Sequence, residues 1–408
     1  MIHPTAVPDR APKPFGDRLL ALLGRVTSGG RFIAEIDGLR FIAIGTVLLF
    51  HLAVDLAAKA PRAYALPKGG LLATLALQGF HGVELFFVIS GFVLALPYAA
   101  SHLRGRPHVP LGTYLLRRLT RLEPPYVLSL LIMFVALTVF KGRSAGQLGP
   151  HLGASLVYLH NLIYRGESWI NNVAWSLEIE IQFYLLVPLL SKLFAIPSKL
   201  VRRGAMVGLA GGLIAWQVLA LSPGDLAWLS ILRFGQFFLA GFLLADVYLT
   251  DWNEAPTKSL AWDAVSALGW PLLFWIWAHY DPEPPPGTHL AAWAVASFPA
   301  LVFLLYVATF RGRVTNRIIS NPWLTAYGGM CYSLYLLHNP IIGVLLRASS
   351  ALAVSSIWEV NFLFQAVLVL PATSALATLF FLAVEKPCMR RDWPQRLWAA
   401  VRRAPAGG

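Results

Sequence analysis

The feature that most constrains this chain is a recurrence of apolar stretches near the length that crosses a bilayer as a helix, about 20 residues. Ten are read along the 408 residues, at 38–56, 81–98, 125–140, 173–194, 204–221, 227–249, 260–278, 290–310, 326–346 and 360–384. Two further pieces, 71–77 and 152–164, are too short to span and read as re-entrant or interfacial segments. A helix satisfies its own backbone hydrogen bonds in lipid, so the expectation is an all-α integral membrane protein, a bundle of about ten transmembrane helices. Composition agrees, because 13% charged residues against 57% hydrophobic ones falls far below the roughly 25% charged of soluble domains.

On a soluble chain, 33 basic against 20 acidic residues, a net charge of +13, would suggest a polyanion binder. The placement of the charges gives another source. With the N-terminus inside, 25 Lys and Arg fall in inner segments, seven fall in outer loops, and Arg233 lies within a span. Such a bias is what membrane insertion leaves behind, with cationic loops held on the cytoplasmic side. Both termini are therefore expected in the cytoplasm, with the lipid bilayer as partner and no nucleic acid. Residues 1–30 lack the continuous apolar core of a cleaved leader. The chain then divides into a cytoplasmic segment 1–34, a membrane domain 35–388 and a basic cytoplasmic tail 389–408. In the first, Phe15, Leu19, Leu22, Leu23 and Val26 recur at helical spacing with Arg18 and Arg25 among them, the pattern of a helix lying on the inner leaflet. Cys331 and Cys388 both map to the cytoplasmic side, where disulfides are rare, so free thiols and no metal site are expected.

Ionisable groups inside spans are costly and are functional candidates by default. Arg40 and His51 are 11 residues apart, about 20° past three helical turns and about 16 Å along the axis, and so share one face of the first span. Glu84, about one turn inside the second span, is expected at a depth similar to that of His51. A carboxylate that orients an imidazole is the standard arrangement for a general base. Asp55, four residues beyond His51, competes for the same role. Arg117, Arg118 and Arg121 form a cluster suited to bidentate phosphate binding, or an ordinary instance of the positive-inside bias. The fourth span opens with Glu178 and Glu180. Glu180 shares a face with Tyr184, and Glu178 with Gln182, so Glu180 either braces the bundle or binds a polyhydroxylated substrate. In the ninth span Tyr332, Tyr335 and His338 follow at steps of three before Pro340, an aromatic packing stripe or a polar-tipped wall.

The ordered set of motifs resembles the membrane acyltransferase-3 family, bacterial proteins that acylate extracytoplasmic sugars. Asp37-Gly38-Leu39-Arg40, ten residues and His51 resemble its Arg-x10-His signature. Gly82 to Phe92 resembles the second-helix motif, with Glu84 where many members carry Asp. Arg117-Arg118 with Arg121 and Pro124 resembles the cytoplasmic arginine motif, and Trp175-Ser176-Leu177, Glu180, Gln182-Phe183-Tyr184 and Pro188 the fourth-helix signature. Tyr332 to Leu336, His338 and Pro340 resemble the penultimate-helix motif, and Glu385 with Pro387 the closing one. Together they cover roughly residues 35–388. Cys331 stands where serine is common, Leu337 where tryptophan is common and Glu123 where an aromatic is usual. The SGNH hydrolase-like domain that some members carry does not follow the last motif, so the membrane domain is expected to finish the transfer, with or without separate partners.

The resemblance implies a cytoplasmic acyl-CoA donor, most often acetyl-CoA, no permanently bound cofactor, and an acceptor hydroxyl on a carbohydrate outside the bacterial cytoplasmic membrane. O-antigen, exopolysaccharide, peptidoglycan and small glycosides are all candidate acceptors. On that basis Arg117, Arg118 and Arg121, with Arg40, hold the nucleotide phosphates. His51 is the general base or first accepts the acyl group itself, and Glu84 or Asp55 orients it. Glu180, Tyr335 and His338 line the acceptor side. The rival class is a secondary transporter of an organic anion or glycolipid, since intramembrane Glu, His and Arg also build proton relays. No repeat of broken helices in two halves supports it. A channel or receptor fits less well, because the polar groups cluster on four spans and the arginine motif. An ATP-driven pump lacks its G-x-x-x-x-G-K-[ST] loop, and Val88 stands where a nucleophile elbow around Ser90 needs Gly.

Overall fold

The computed structural model describes residues 14–26, 32–59, 70–279, 292–390, 392, 393 and 395, and within them the side chain of Arg117 is not described. Most of the tail expected at 389–408, and residues 1–13 and 27–31 of the expected N-terminal segment, lie outside the described residues. The described chain is helical, with no β-strand. Its helices are α1 (Phe15–Leu23), α2 (Ala34–Lys59), α3 (Leu71–Leu77), α4 (Gly82–Arg104), α5 (Leu111–Val139), α6 (Ala145–Leu156), α7 (His160–Tyr164), α8 (Trp175–Leu190), α9 (Lys199–Ala220), α10 (Ile231–Thr250), α11 (Leu260–His279), α12 (Ala292–Arg311), α13 (Val314–Ile319), α14 (Pro322–Gly329), α15 (Cys331–Ser349), α16 (Trp358–Phe380) and α17 (Lys386–Cys388).

Among the described residues nine helical segments are long and apolar enough to cross a membrane, and a bent pair makes a tenth. That pair corrects the ninth expected span. Residues 326–346 are not one rod, because α14 and α15 meet at an angle of 68°. The reason lies at Gly328, where an added Cβ would stand 1.8 Å from the Asp37 carbonyl oxygen, so α14 is pressed against the start of α2 and the chain turns before the span begins. The 19 residues of α15 give about 28 Å of helix, close to the hydrocarbon thickness without help from α14.

The third expected span begins earlier than its apolar run. The arginine motif is not in a loop but lies on α5, continuous with the spanning part. Two prolines, Pro124 and Pro125, sit inside this helix, and each removes an N–H that would reach four residues back. The carbonyl freed at Thr120 accepts instead from the indole Nε1 of Trp393 at 2.9 Å.

α4 and α10 are the most enclosed spans, and α4 packs against α2, α8, α10 and α12. Its approach to α10 is backbone on backbone. A Cβ at Gly91 would lie 2.2 Å from the Phe238 carbonyl oxygen, and one at Gly241 would lie 2.3 Å from that of Val88. This is the small-residue packing that membrane helices use in place of a hydrophobic drive. Phe183 and Phe87 then stack on either side of Phe238, at 4.0 and 4.7 Å between ring centroids.

The basic loops meet one another on one face of the bundle. Arg104 bonds the Leu249 carbonyl and Asn253, Arg106 pairs with Glu254, Asn316 donates to Glu35 at 2.8 Å, and Lys386 reaches the carbonyls of α1. The amphipathic helix expected near the N-terminus is α1, with Phe15 and Leu22 exposed along it.

Candidate active site

A cavity of about 110 Å3 runs inside the bundle between α2, α4, α5, α8 and α15, with Glu385 at its edge. On the same measure one water needs about 10–15 Å3, so there is room for an extended chain of atoms. Successive wall residues on α8 and α15 give its direction. α8 contributes Ser176, Glu180 and Tyr184 in descending turns, and α15 contributes Cys331, Tyr332 and Tyr335 in ascending ones.

The lower end is cationic. Arg40, Arg118 and Arg121 all face the cavity. Arg40 is held by Asp37, whose carboxylate is wholly buried and receives Arg40 at 2.5 Å and Arg25 at 2.7 Å. Burial first, and then the neighbouring Arg40, draw the Arg25 guanidinium down to about 10 despite that carboxylate. Arg118 lies over the Tyr184 ring at 5.9 Å. Among the described residues neither Arg118 nor Arg121 makes an ion pair, and the buried Nε of Arg121 has no hydrogen-bond partner. Glu385 lies at this end but is engaged by Ser333, through the backbone N–H at 3.0 Å and the hydroxyl at 2.5 Å.

The middle holds Glu180, which accepts from the Ser90 hydroxyl at 2.6 Å. Glu178, two residues earlier, turns away and caps α7 by accepting from the backbone N–H groups of His160 and Asn161 at 3.2 and 2.7 Å. Gln182 likewise accepts from the N–H of Ile231 at the start of α10, at 2.9 Å.

The upper end closes at Tyr335. Its hydroxyl donates to the Val173 carbonyl at 3.0 Å and so accepts from Ser176 at 2.6 Å. One turn further along α15 is His338, wholly buried, its ring against Tyr335 at 5.8 Å and against His51 at 4.8 Å. His51 is thus brought to His338, but it is not part of the cavity wall that contains Arg40. Glu84 has a different imidazole partner from the one expected. Its Oε1 lies 3.2 Å from Nδ1 of His81, a buried ring stacked on Trp277 at 5.2 Å.

One cavity thus gathers Arg40, Arg118, Arg121, Glu180 and Tyr335, and His51 stands beside His338, a pairing not made in the sequence reading. That reading missed Ser90, Ser176 and Tyr184 as cavity groups, although each lies in a quoted motif, and His81, whose three-residue spacing from Glu84 on one helical turn was the available signal. Arg117 lies on α5, and its side chain is outside the described residues.

By fold this is a multi-pass membrane protein with a cavity that several charged and hydroxyl side chains line. The sequence profile of the acyltransferase-3 family, described as an acyltransferase domain, matches residues 33–382, and the chain belongs to that family. It is 27% identical to the O-acetyltransferase OatA of Staphylococcus aureus (strain NCTC 8325 / PS 47) over 338 residues, which are 76% of this chain and 51% of that protein. It is 25% identical to the peptidoglycan O-acetyltransferase OatA of Listeria monocytogenes serovar 1/2a over 386 residues, 89% of this chain and 57% of the other. The chain thus spans about half the length of the curated relatives it matches. No solved structure matches it.

Proposed function

We propose that the protein is a membrane O-acyltransferase of the bacterial cytoplasmic membrane, taking an acyl group, acetyl first among candidates, from acyl-CoA on the cytoplasmic side to a carbohydrate hydroxyl on the other. The observation that carries this reading is the cavity itself, which has at one end two guanidinium groups, Arg118 and Arg121, that make no ion pair among the described residues and, one helical turn beyond its other end, two imidazoles in contact. A guanidinium matches phosphate oxygens bidentately and stays charged at any physiological pH. In this reading Arg118 and Arg121, with Arg117 and the Asp37-held Arg40, bind the CoA phosphates at the basic face. The pantetheine arm rises past Ser90 and Glu180 and presents its thioester at the Tyr335 end. His51 takes the proton of the acceptor hydroxyl, and Glu180, Tyr335 and His338 guide the reacting groups. A cell-wall glycan is the acceptor to try first, given the printed names of the relatives.

The test is transfer of radiolabel from acetyl-CoA to envelope glycan in membranes of an expressing bacterium. Wild-type protein is expected to label glycan, and His51→Ala to fall to background at equal protein. Arg121→Ala is expected to raise KM for acetyl-CoA about tenfold or more, because charge-assisted bonds to phosphate contribute about 1.5–3 kcal/mol, and Arg121→Lys to recover only part of the loss. Normal labelling by His51→Ala would sink this mechanism.

A further inference from the structure

We propose that the segment entering α8 is the acceptor-sugar site, with the indole of Trp169 as the platform for a pyranose ring and the amides of Asn172 and Asn339 as hydrogen-bond partners of its hydroxyls. The inference rests on the reading of the protein as a transferase to a carbohydrate and adds where that carbohydrate sits. Residues 165–174 lead from α7 to α8 at the Tyr335 end of the cavity, where the Val173 carbonyl holds the Tyr335 hydroxyl. Trp169 lies flat on the His151 imidazole, with centroids 4.0 Å and planes 18° apart, and Tyr164 lies on the same imidazole at 4.1 Å and 28°. One face of an imidazole takes one ring at that distance, so His151 is sandwiched between the two. The sandwich is fixed from within the fold. His151 and His160 share a hydrogen at 2.8 Å, and Nδ1 of His160 lies 3.1 Å from the Gly166 carbonyl oxygen. A carbonyl oxygen only accepts, so His160 donates from Nδ1 and accepts from His151 at Nε2. With one face covered, Trp169 is still 56% exposed, which leaves its other face bare. That face carries the negative side of the ring quadrupole, and the axial C–H groups of a pyranose bring the partial positive charge that matches it.

A tryptophan near the end of a span also serves as an anchor at the lipid interface, and the neighbours of Trp169 decide between the two. Two residues on, Asn171 is wholly buried. Its Nδ2 donates to the Leu336 carbonyl at 3.1 Å, while its Oδ1 has no hydrogen-bond partner, a condition that native structures seldom leave without a use for the atom. Nδ2 of Asn339 donates to Oδ1 of Asn172 at 2.6 Å, and both residues are half-buried. That bond leaves Oδ1 of Asn339 as an acceptor and Nδ2 of Asn172 as a donor, with no further partner for either among the described residues. Acyl chains satisfy neither kind of group, whereas a sugar hydroxyl both donates and accepts. Asn339 directly follows His338, so a sugar held there stands next to the two imidazoles in contact. The occupant that fits is a neutral, hydroxyl-rich oligosaccharide, one ring stacked on Trp169 and the next presented to the reacting groups.

The experiment measures calorimetric binding of chitotetraose, mannotetraose and maltotetraose to the full chain in lipid nanodiscs, and then the kinetics of acetyl transfer to whichever binds most tightly. Wild type is compared with Trp169→Ala, Trp169→Phe, Asn339→Ala and, as a control, Trp293→Ala, an indole of similar exposure on the first turn of α12. Trp169→Ala is expected to raise both the Kd and the KM for the oligosaccharide about tenfold or more, with KM for acetyl-CoA within about twofold. Trp169→Phe, which keeps a ring, should stay within about threefold of wild type. Asn339→Ala should raise the oligosaccharide Kd about threefold or more. Unchanged sugar binding in Trp169→Ala would overturn the proposal. An equal loss in Trp293→Ala would overturn it too, because the effect would then belong to seating in the bilayer. If Trp169→Ala does not accumulate as folded protein, Asn339→Ala decides alone, and a wild-type Kd overturns the site. A wild-type protein that binds none of the three sugars also overturns it. Sugar binding that depends on Trp169, with no CoA released from acetyl-CoA, would instead defeat the transferase reading and leave the sugar site standing.

Discussion

Glu178 and Glu180 stand two residues apart on α8 and could not be told apart by composition or depth. Their partners separate them, backbone N–H groups of α7 for the first and the Ser90 hydroxyl within the cavity for the second. Glu178→Ala strips acceptors from two buried N–H groups and is expected to cost about 2 kcal/mol or more of stability, read as a lower melting temperature in detergent. Glu180→Gln keeps an oxygen for Ser90, so it should melt like wild type while acetyl transfer falls at least about tenfold. A reversed pattern, with Glu178 governing activity and Glu180 stability, would contradict these assignments. The sequence made both carboxylates visible because charge is conspicuous in an apolar run. It gave no account of which way each points, since that depends on how α8 packs against α7, just before it, and against α4, some 90 residues earlier.

At the scale of elements, the α4–α10 contact depends on two hydrogen atoms in place of side chains. Gly91→Ala must force Phe238 and its backbone away, and a loss of about 2 kcal/mol or more is expected, since relief requires the helices themselves to shift. Gly45 on α2 has nothing within 4 Å of an added Cβ, so Gly45→Ala should be neutral or stabilising by up to about 1 kcal/mol from helix propensity. Thermal unfolding of the two variants side by side checks both. The α9–α10 pair is fastened at the basic face by a second device. Burial alone would raise Asp251, but Arg203, at 3.0 Å, and Lys199 outweigh it and hold this carboxyl down at about 2. A folded-state pKa below the unfolded one near 3.9 gives stability that is complete above pH 4 and is lost as pH falls toward 2. Asp251→Asn should therefore flatten the dependence of melting temperature on pH in that window, an effect that high salt also weakens because the pair is partly exposed. Periodicity revealed most of these helices. It could not reveal that α5 runs through the arginine motif, because Pro124 and Pro125 read as a stop until Trp393 is seen to occupy the Thr120 carbonyl.

At the scale of the whole molecule, the basic loops gather on a single face, as a count of Lys and Arg had suggested. Which compartment that face meets is a question for accessibility. In a Cys331→Ala/Cys388→Ala background, a membrane-impermeant thiol reagent is expected to label Arg143→Cys in intact cells and Lys199→Cys only after permeabilisation. The opposite result would invert the topology and remove the cytoplasmic donor from the proposed reaction.

The sequence by itself determined that this chain is a membrane bundle and which polar residues interrupt it, because the cost of polar groups in hydrocarbon leaves a mark on every apolar run. The order of its motifs likewise identified the family. The tertiary structure decided which of those residues meet. It left Arg118 and Arg121 without an ion pair among the described residues, beside one cavity that Glu180 and Glu385 also line, and it laid His338 against His51. Such pairings depend on how helices hundreds of residues apart rotate and approach, through contacts such as Gly91 on Phe238 and Gly328 on Asp37. A one-dimensional pattern records the face of each helix but not the neighbour that face will find.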